Sequence, residues 1–368
     1  MSAPHIILDA RVTKQMSVGM ITYVRELAAR LPDAAPDLSF TIVSNVKLDT
    51  GGDVGTIHIP ERLAVNGSLG EQLGYAGLLR RLRRNASLTH LMSVYAPRWT
   101  PTPYVYTIHD LIHRRFPHYF KWKVRPYYEF VAGPVARGAS AVITDAAATV
   151  PDLERFLGVD AAAVRIVPLG VSERFALDAS EREQAAKRVR ARLELRAPYI
   201  FYAGNHREHK NLETLAAAWQ EVQGACDLVL TESMPFAFDL DRYTKRGGRI
   251  VRAGHVSEEE LVELYAGCAA TVQPSSYEGF GLSVLEGMAA GAPVIVAQTP
   301  ALLEVAGDAA LTFPVRDVTA LTRAVELVLA GGADVEALRE RGRRRASAYS
   351  WSQTARLTAG VYRECLAR

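Results

Sequence analysis

Two glutamates eight residues apart, Glu278 and Glu286, carry the most informative chemistry in this chain. They lie in residues 274–293, P-S-S-Y-E-G-F-G-L-S-V-L-E-G-M-A-A-G-A-P. A short apolar run at 269–273 precedes this stretch and another at 293–297 follows it. The pattern predicts a strand, a glycine-bearing turn and the start of a helix. Unpaired backbone N–H groups point out of a helix start, so such a turn is a ready anion site. Two carboxylates beside it would repel a bare phosphate. They suit a ligand that carries hydroxyls as well as phosphates, which is the chemistry of a nucleotide sugar. Glu278 then lies near the sugar, the helix start at the diphosphate, and Glu286 on the ribose.

The same string resembles the E-x7-E signature of the family 4 retaining glycosyltransferases, which have the two-domain GT-B fold. The likeness runs through P-S-x-Y-E-G-F-G-L-x-x-L-E-x-M-A-x-G-x-P-V, well beyond the two glutamates, and further matches extend it over nearly the whole chain. It implies donor contacts from the backbone of Phe280, Gly281 and Leu282, with Gly279 and Gly281 allowing close approach. It also matches Y-I-F-Y-A-G at 199–204, followed by Asn205-His206-Arg207-Glu208-His209-Lys210-Asn211. The family's lysine in this segment binds the donor diphosphate, a role carried here onto Lys210. A fixed cation on a leaving group that gains charge favours the transition state over the ground state. A helix dipole contributes about 0.3–1 kcal/mol, against roughly 3–4 kcal/mol for a well-placed donor. Lys210 is therefore expected to dominate leaving-group stabilisation. Many relatives place an arginine directly after the glycine, where this chain has Asn205. Either His206, Arg207 or His209 takes that part, or diphosphate binding is weaker. Gly254-His255-Val256 follows another predicted strand and is assigned by position to the wall beside the nucleobase.

In the first half, Y-V-Y-T-I-H-D at 104–110 resembles the family's strand ending in H-D, whose histidine, here His109, faces the donor sugar. Gly19, in Ser17-Val-Gly-Met, corresponds to a glycine-rich loop that contacts the diphosphate, with one glycine in place of the usual two or three. The resemblance implies same-face transfer through an oxocarbenium-like state, with the departing phosphate taking the acceptor's proton. His109, Glu278 and Lys210 then orient and stabilise without a covalent intermediate. No metal or other cofactor follows. Asp239-Leu-Asp241 matches the D-x-D metal motif of the other large glycosyltransferase fold but reads as a surface turn. Loose resemblance to O-antigen mannosyl- and rhamnosyltransferases suggests a GDP sugar donor and a glycan or lipid-linked acceptor. Rival readings are a nucleotide-sugar epimerase, a non-catalytic nucleotide-sugar binding protein, and a phosphorylase or sucrose-type synthase.

These motifs need strands to hold them. Short β-rich apolar runs fall at 5–8, 40–44, 89–93, 104–108, 141–144 and 165–167, then at 199–202, 227–230, 249–252, 269–273, 293–297 and 310–313. Helical patterns intervene, as at 21–31, 212–222, 258–267 and 318–329. Strands alternating with helices predict parallel sheets covered on both faces, and two such series predict two doubly wound, Rossmann-like domains facing across a cleft. Every motif falls just after a predicted strand, where ligands bind in such sheets. The charged stretch 179–196 reads as a surface helix and linker between an acceptor domain, 1–178, and a donor domain, 197–349. A closing helix, 350–368, resembles the family's helix that crosses back to the first domain.

Length and composition agree with this reading. A chain of 368 residues suits two cores. A net charge of +3 is too mild for a nucleic-acid partner. Cys226, Cys268 and Cys365 are scattered, with no C-x-x-C, which argues against a disulfide framework or zinc site and for a reducing cytoplasm. The start lacks a signal-peptide pattern, and no run reaches the roughly 18 apolar residues that span a bilayer. Arg80, Arg81, Arg83 and Arg84 crowd one segment, and residues 121–128 interleave basic and aromatic side chains. Both patterns suit peripheral contact with anionic lipid on the inner face of a membrane.

Overall fold

The computed structural model describes residues 3–13, 16–51, 54–120, 124–231 and 239–368. By its contacts the chain divides into two compact units, Met1–Gly170 with Trp351–Arg368, and Val171–Ser350.

The first unit is built on β1 (His5–Asp9), β2 (Ser39–Ser44), β3 (Gly55–His58), β4 (Leu88–Leu91), β5 (Tyr104–Thr107), β6 (Ala141–Thr144) and β7 (Val164–Ile166). All seven strands are parallel, in the order β3-β2-β1-β4-β5-β6-β7. The order reverses between β1 and β4, where Ile6 pairs with Leu88, so the sheet is doubly wound. Every residue of β4, β5 and β6 is buried. Parallel strands covered on both faces read as mostly apolar runs, which is why the sequence announces them, although β4 also buries Thr89 and His90. It does not announce β3. This edge strand has three of its four residues exposed, so no inward apolar pattern marks it.

The helix Val18–Ala34 starts at Ser17, whose hydroxyl accepts the Met20 N–H at 3.4 Å. It buries Tyr23, Val24, Leu27, Ala28 and Leu31 at helical spacing. The closing helix Trp351–Leu366 packs against it. Tyr362 shares a 2.6 Å hydrogen bond with His90 Nδ1, and the Thr354 hydroxyl donates to the Pro168 carbonyl at 2.8 Å.

Arg11, just past β1, is buried between two carboxylates. Its Nε lies 2.8 Å from Asp9 and its Nη1 3.1 Å from Glu71, and its guanidinium stacks 3.7 Å over Tyr75. Further donations to the Leu63 and Tyr95 carbonyls tie three loops together. Removing one member of a buried ion network strands the others. Arg11→Met is expected to lower stability by about 3–5 kcal/mol, read from the shift in urea midpoint at constant slope. An unchanged midpoint would show that Asp9 and Glu71 find other partners.

The second unit contains β8 (Tyr199–Tyr202), β9 (Asp227–Leu230), β10 (Ile250–Arg252), β11 (Ala270–Gln273), β12 (Val294–Ala297) and β13 (Leu311–Phe313). They form a parallel sheet in the order β10-β9-β8-β11-β12-β13, with the reversal between β8 and β11. The charged helix Ala179–Arg192 lies inside this unit, so the division at Gly170 falls ahead of the place the charge pattern suggests. It opens with a capping box between Asp178 and Glu181. It buries Ala185 and Val189, and its Arg188 and Arg192 pair with Glu263 and Glu260 of the helix Glu258–Gly267. A linker would not be anchored on both its apolar and its charged sides.

Candidate active site

In the second unit the strand order reverses between β8 and β11. Doubly wound sheets bind ligands there. The loop after β8 turns at Gly204, with φ of +150°, where a Cβ would lie 2.7 Å from the Tyr202 hydroxyl oxygen. That hydroxyl donates to the Asn205 carbonyl at 2.8 Å. A short turn, Glu208–Lys210, ends at Asn211 in the left-handed conformation. Asn211 Nδ2 donates to the Pro274 carbonyl at 3.1 Å, and the Ser276 N–H donates to the His209 carbonyl at 2.8 Å. The loops after β8 and β11 are thus stitched together by one side-chain and one backbone hydrogen bond.

The stitching brings Lys210 onto Glu278. Lys210 Nζ lies 2.7 Å and 2.9 Å from the two carboxylate oxygens, and each side chain is 13% exposed. Gln273, the last residue of β11, donates to Glu278 Oε1 at 2.6 Å and reaches the Ser275 hydroxyl at 2.9 Å. Burial pushes the Glu278 carboxyl up, but the charge and hydrogen bonds of Lys210, with a smaller pull from Ser275 and His209, outweigh it, and the net direction is down. Glu278 is therefore held ionised, as an acceptor-only group beside a cation.

The chain then passes through Gly279-Phe280-Gly281. Gly281, at φ of +120°, begins the helix Leu282–Ala289 without a side-chain cap. A Cβ there would sit 2.9 Å from Leu302. Phe280 is buried and meets the Tyr349 ring edge-on at 6.1 Å, so only its backbone is offered to a ligand. Glu286 stands one turn along this helix and is half-buried. Its carboxylate accepts the Tyr265 hydroxyl at 3.1 Å. Burial pushes the Glu286 carboxyl up to about 7, Tyr265 pulls the other way, and Glu258 adds to the rise.

Of the three residues that could replace an arginine beside Asn205, two are buried. His206 is tucked beside the Tyr202 ring at 6.2 Å. His209 is pushed down to about 3 by burial and by the charge of Lys210, so it is neutral. Arg207 is exposed and carries the remaining charge. The Asn205 side chain accepts the Arg207 N–H at 3.3 Å. His255, exposed, and Val256, half-buried, follow β10, two strands away from β8 in the sheet. Asp239 and Asp241 lie in a surface turn, where Asp241 pairs with Arg252 at 2.9 Å. Among the described residues no group of three or more His, Cys, Asp or Glu side chains is placed to hold a metal ion.

In the first unit His109 follows β5 and is buried. Its Nδ1 lies 2.8 Å and 3.1 Å from the oxygens of Asp145, just past β6. The adjacent Asp110, which completes the H-D motif in sequence, instead accepts the Ile112 N–H at 3.0 Å. Gly19 lies within the first turn of the helix Val18–Ala34 and not in a loop, because the Ser17 cap starts the helix ahead of it. A Cβ at Gly19 would meet nothing within 4 Å, so close approach of backbone to a ligand stays possible there. Sequence reasoning missed Asp145, Gln273 and Tyr265. The first two left one signal, a polar residue at or just past the end of an apolar strand.

Two family descriptions match successive parts of the chain: Glycosyltransferase Family 4 over residues 18–175 and Glycosyl transferases group 1 over residues 183–345. The chain belongs to the family 4 glycosyltransferases. It is 34% identical to the O-antigen chain mannosyltransferase B of Escherichia coli over 173 residues, 45% of each chain. It is 29% identical to the MMP alpha-(1->4)-mannosyltransferase of Mycolicibacterium hassiacum over 258 residues, 67% of this chain and 59% of that one. The matched region thus spans about half the length of these curated relatives. In fold it resembles the sucrose-phosphate synthase of Thermosynechococcus elongatus, with TM-score 0.76 and 21% identity over 99% of both chains. It also resembles HepE of Anabaena, solved with UDP and glucose, with TM-score 0.75 and 14% identity over 98% of this chain and 100% of that one. These likenesses show the GT-B fold.

Proposed function

We propose that the protein transfers a sugar, with retention, from a nucleoside-diphosphate sugar to an acceptor hydroxyl on a glycan or lipid-linked glycan, without a metal ion. The observation that carries this reading is the Lys210–Glu278 pair at the strand-order reversal of the second unit. A cation there suits the departing diphosphate, and an ionised carboxylate beside it suits sugar hydroxyls. Lys210 and Arg207 take the diphosphate together with the backbone at Gly281 and Leu282, and Glu286 takes the ribose. The bond from C1 to the phosphate oxygen breaks, the acceptor oxygen bonds to C1 on the same face, and its proton passes to the departing phosphate. The mannosyltransferase relatives support mannose as the first sugar to try, with GDP as its carrier. An epimerase would change the donor alone and gains no support from the family match.

A thermal-shift panel with GDP, UDP, ADP, dTDP and their common sugars, with chelator present, tests the donor. A ligand at about 100 times its dissociation constant stabilises by about 2.7 kcal/mol, enough to raise the melting point by several degrees. NMR of the product's anomeric proton then tests retention. No shift with any nucleotide would overturn the reading.

Ribose hydroxyls donate, so ionised Glu286 is the better acceptor. Nucleoside-diphosphate affinity is expected to rise several-fold as pH climbs through about 7, and Glu286→Gln should flatten that rise. Isothermal titration on either side of neutrality reads both. A wild-type affinity that ignores pH removes Glu286 from the ribose.

The acceptor side invites a membrane test. Leu69 and Leu73 are 78% and 61% exposed, and Arg80, Arg81 and Arg84 continue outward along the same helical segment. Arg83 turns back to the Ala86 carbonyl instead. Gln72 ties this segment to Arg98 at 2.9 Å, and Arg98 reaches the Phe130 carbonyl. Trp99 and Phe130 are exposed there. The aromatics expected to meet lipid, Tyr127 and Tyr128, point into the core, and residues 121–123 lie outside the described residues. The proposed lipid-facing group is therefore Leu69, Leu73, Trp99 and Phe130 with the three arginines. Among the described residues no helix is long and apolar enough to cross a membrane. Sedimentation with anionic vesicles at low salt decides peripheral contact, and protein left in the supernatant rejects it.

A further inference from the structure

His109 sits in a cluster contributed by four elements. Asp145, past β6, presents both carboxylate oxygens to Nδ1. Tyr23, from the helix Val18–Ala34, meets the ring edge-on with centroids 4.6 Å apart and planes at 82°. His90, on β4, shares the Thr107 hydroxyl with Tyr23, through contacts of 2.7 Å and 3.0 Å. Both members of the dyad are at least nine-tenths buried, His109 at 9% and Asp145 at 2% exposure.

A carboxylate only accepts, so Nδ1 must carry a proton. Burial lowers the pKa of His109, but Asp145 and then Asp110 more than offset it, with the Met92 backbone pulling the same way, and the net direction is up. His90 is itself pushed down to about 3, by burial and by His109, and stays neutral. The second ring nitrogen, Nε2, is buried and has no partner at hydrogen-bond geometry among the described residues. A buried nitrogen left without a partner is costly, which is tolerable where a ligand completes it. With Asp145 on one nitrogen and Tyr23 against the ring edge, the ring has one orientation, and Nε2 is the nitrogen turned away from Asp145.

We propose that Asp145 is a positioning residue for the transfer reaction, fixing the His109 ring with its proton on Nδ1 so that Nε2 is presented to substrate. The proposal rests on the glycosyltransferase reading. Asp145 acts through His109, as the buried carboxylate of a hydrolase triad acts through its histidine. An oriented second nitrogen is likewise what carboxylate–histidine pairs provide at metal sites.

The test combines imidazole NMR of the unliganded protein with sugar-transfer kinetics, in the wild type, Asp145→Asn and Asp145→Glu. The wild type should show a downfield, exchange-protected Nδ1 proton on His109 and a titration above the ordinary value near 6.5. In Asp145→Asn that signal should vanish and the titration move down, with the pH–rate profile moving the same way. Its kcat should fall on the order of a hundredfold or more, with the melting shift on nucleoside diphosphate unchanged. Asp145→Glu should recover part of both. A kcat for Asp145→Asn within about threefold of wild type overturns the proposal. So does a wild-type His109 that titrates below its ordinary value without an Nδ1 signal. If Asp145→Asn does not fold, Asp145→Glu and the wild-type titration still decide. If the wild type transfers sugar from no donor, the glycosyltransferase reading fails, and the imidazole signals alone report whether Asp145 fixes the ring.

Discussion

Glu278→Ala is expected to abolish sugar transfer while nucleoside-diphosphate affinity stays at or above the wild-type value. The first half follows from the carboxylate's state. Glu278 is ionised, nearly buried and clamped by Gln273 at 2.6 Å and by Lys210 on both oxygens. Such a preorganised charge costs no reorganisation when the sugar gains positive character, and losing a group of this kind lowers kcat by roughly 10²–10³. The second half follows from what Lys210 does once released. In the resting structure its ammonium is shared with Glu278, and a diphosphate must compete for it. Without the carboxylate the whole charge is available to the diphosphate, and a repulsive neighbour is gone. Initial rates with a nucleotide sugar, set beside calorimetric titration of the nucleoside diphosphate, separate the two effects. Parallel loss of rate and nucleotide affinity would place Glu278 on the nucleotide and not on the sugar.

The strands that hold this site are legible because parallel strands buried on both faces are mostly apolar. Tyr199–Tyr202 and Val294–Ala297 are buried at every position and stand out as apolar runs. Gly55–His58 escapes notice because an exposed edge strand needs no such run. Individual site residues are legible in the same local sense. The glycine turn and helix start after β11 follow from one continuous string. Pairings that close across the sheet are not. Lys210 and Glu278 are 68 residues apart and His109 and Asp145 are 36 apart. Nothing in either segment states its partner, because the partner is set by which strands lie side by side. Strand order also explains why Asp110 was the obvious companion of His109 in sequence and Asp145 is the real one. Burial was a third unknown. His206, Arg207 and His209 were equal candidates until the turn after β8 buried both histidines and left Arg207 outside.

Lys210→Ala should lower turnover on the order of a hundredfold or more, and it should do something that a lost surface lysine cannot. It leaves Glu278 nearly buried with its counter-charge removed, and breaking such a pair costs about 3–5 kcal/mol. The cost depends on pH in a direction the two proteins do not share. In the wild type the folded-state pKa of Glu278 is lowered, so its contribution is fully present above the unfolded value near 4.5 and is lost as pH falls through the folded value. In the variant, burial is left without the opposing charge and raises that pKa, so the penalty grows as pH climbs from about 4.5 and fades on acidification. The stability gap between the two proteins should therefore be widest near neutrality and close toward acid. Urea titrations across that range read the gap directly, and stopped-time assays at neutral pH read the turnover. Near wild-type turnover would hand the diphosphate to Arg207 alone. A gap that does not change with pH would mean that Glu278 finds another cation or water once Lys210 is gone, and that the pair is not what keeps it ionised.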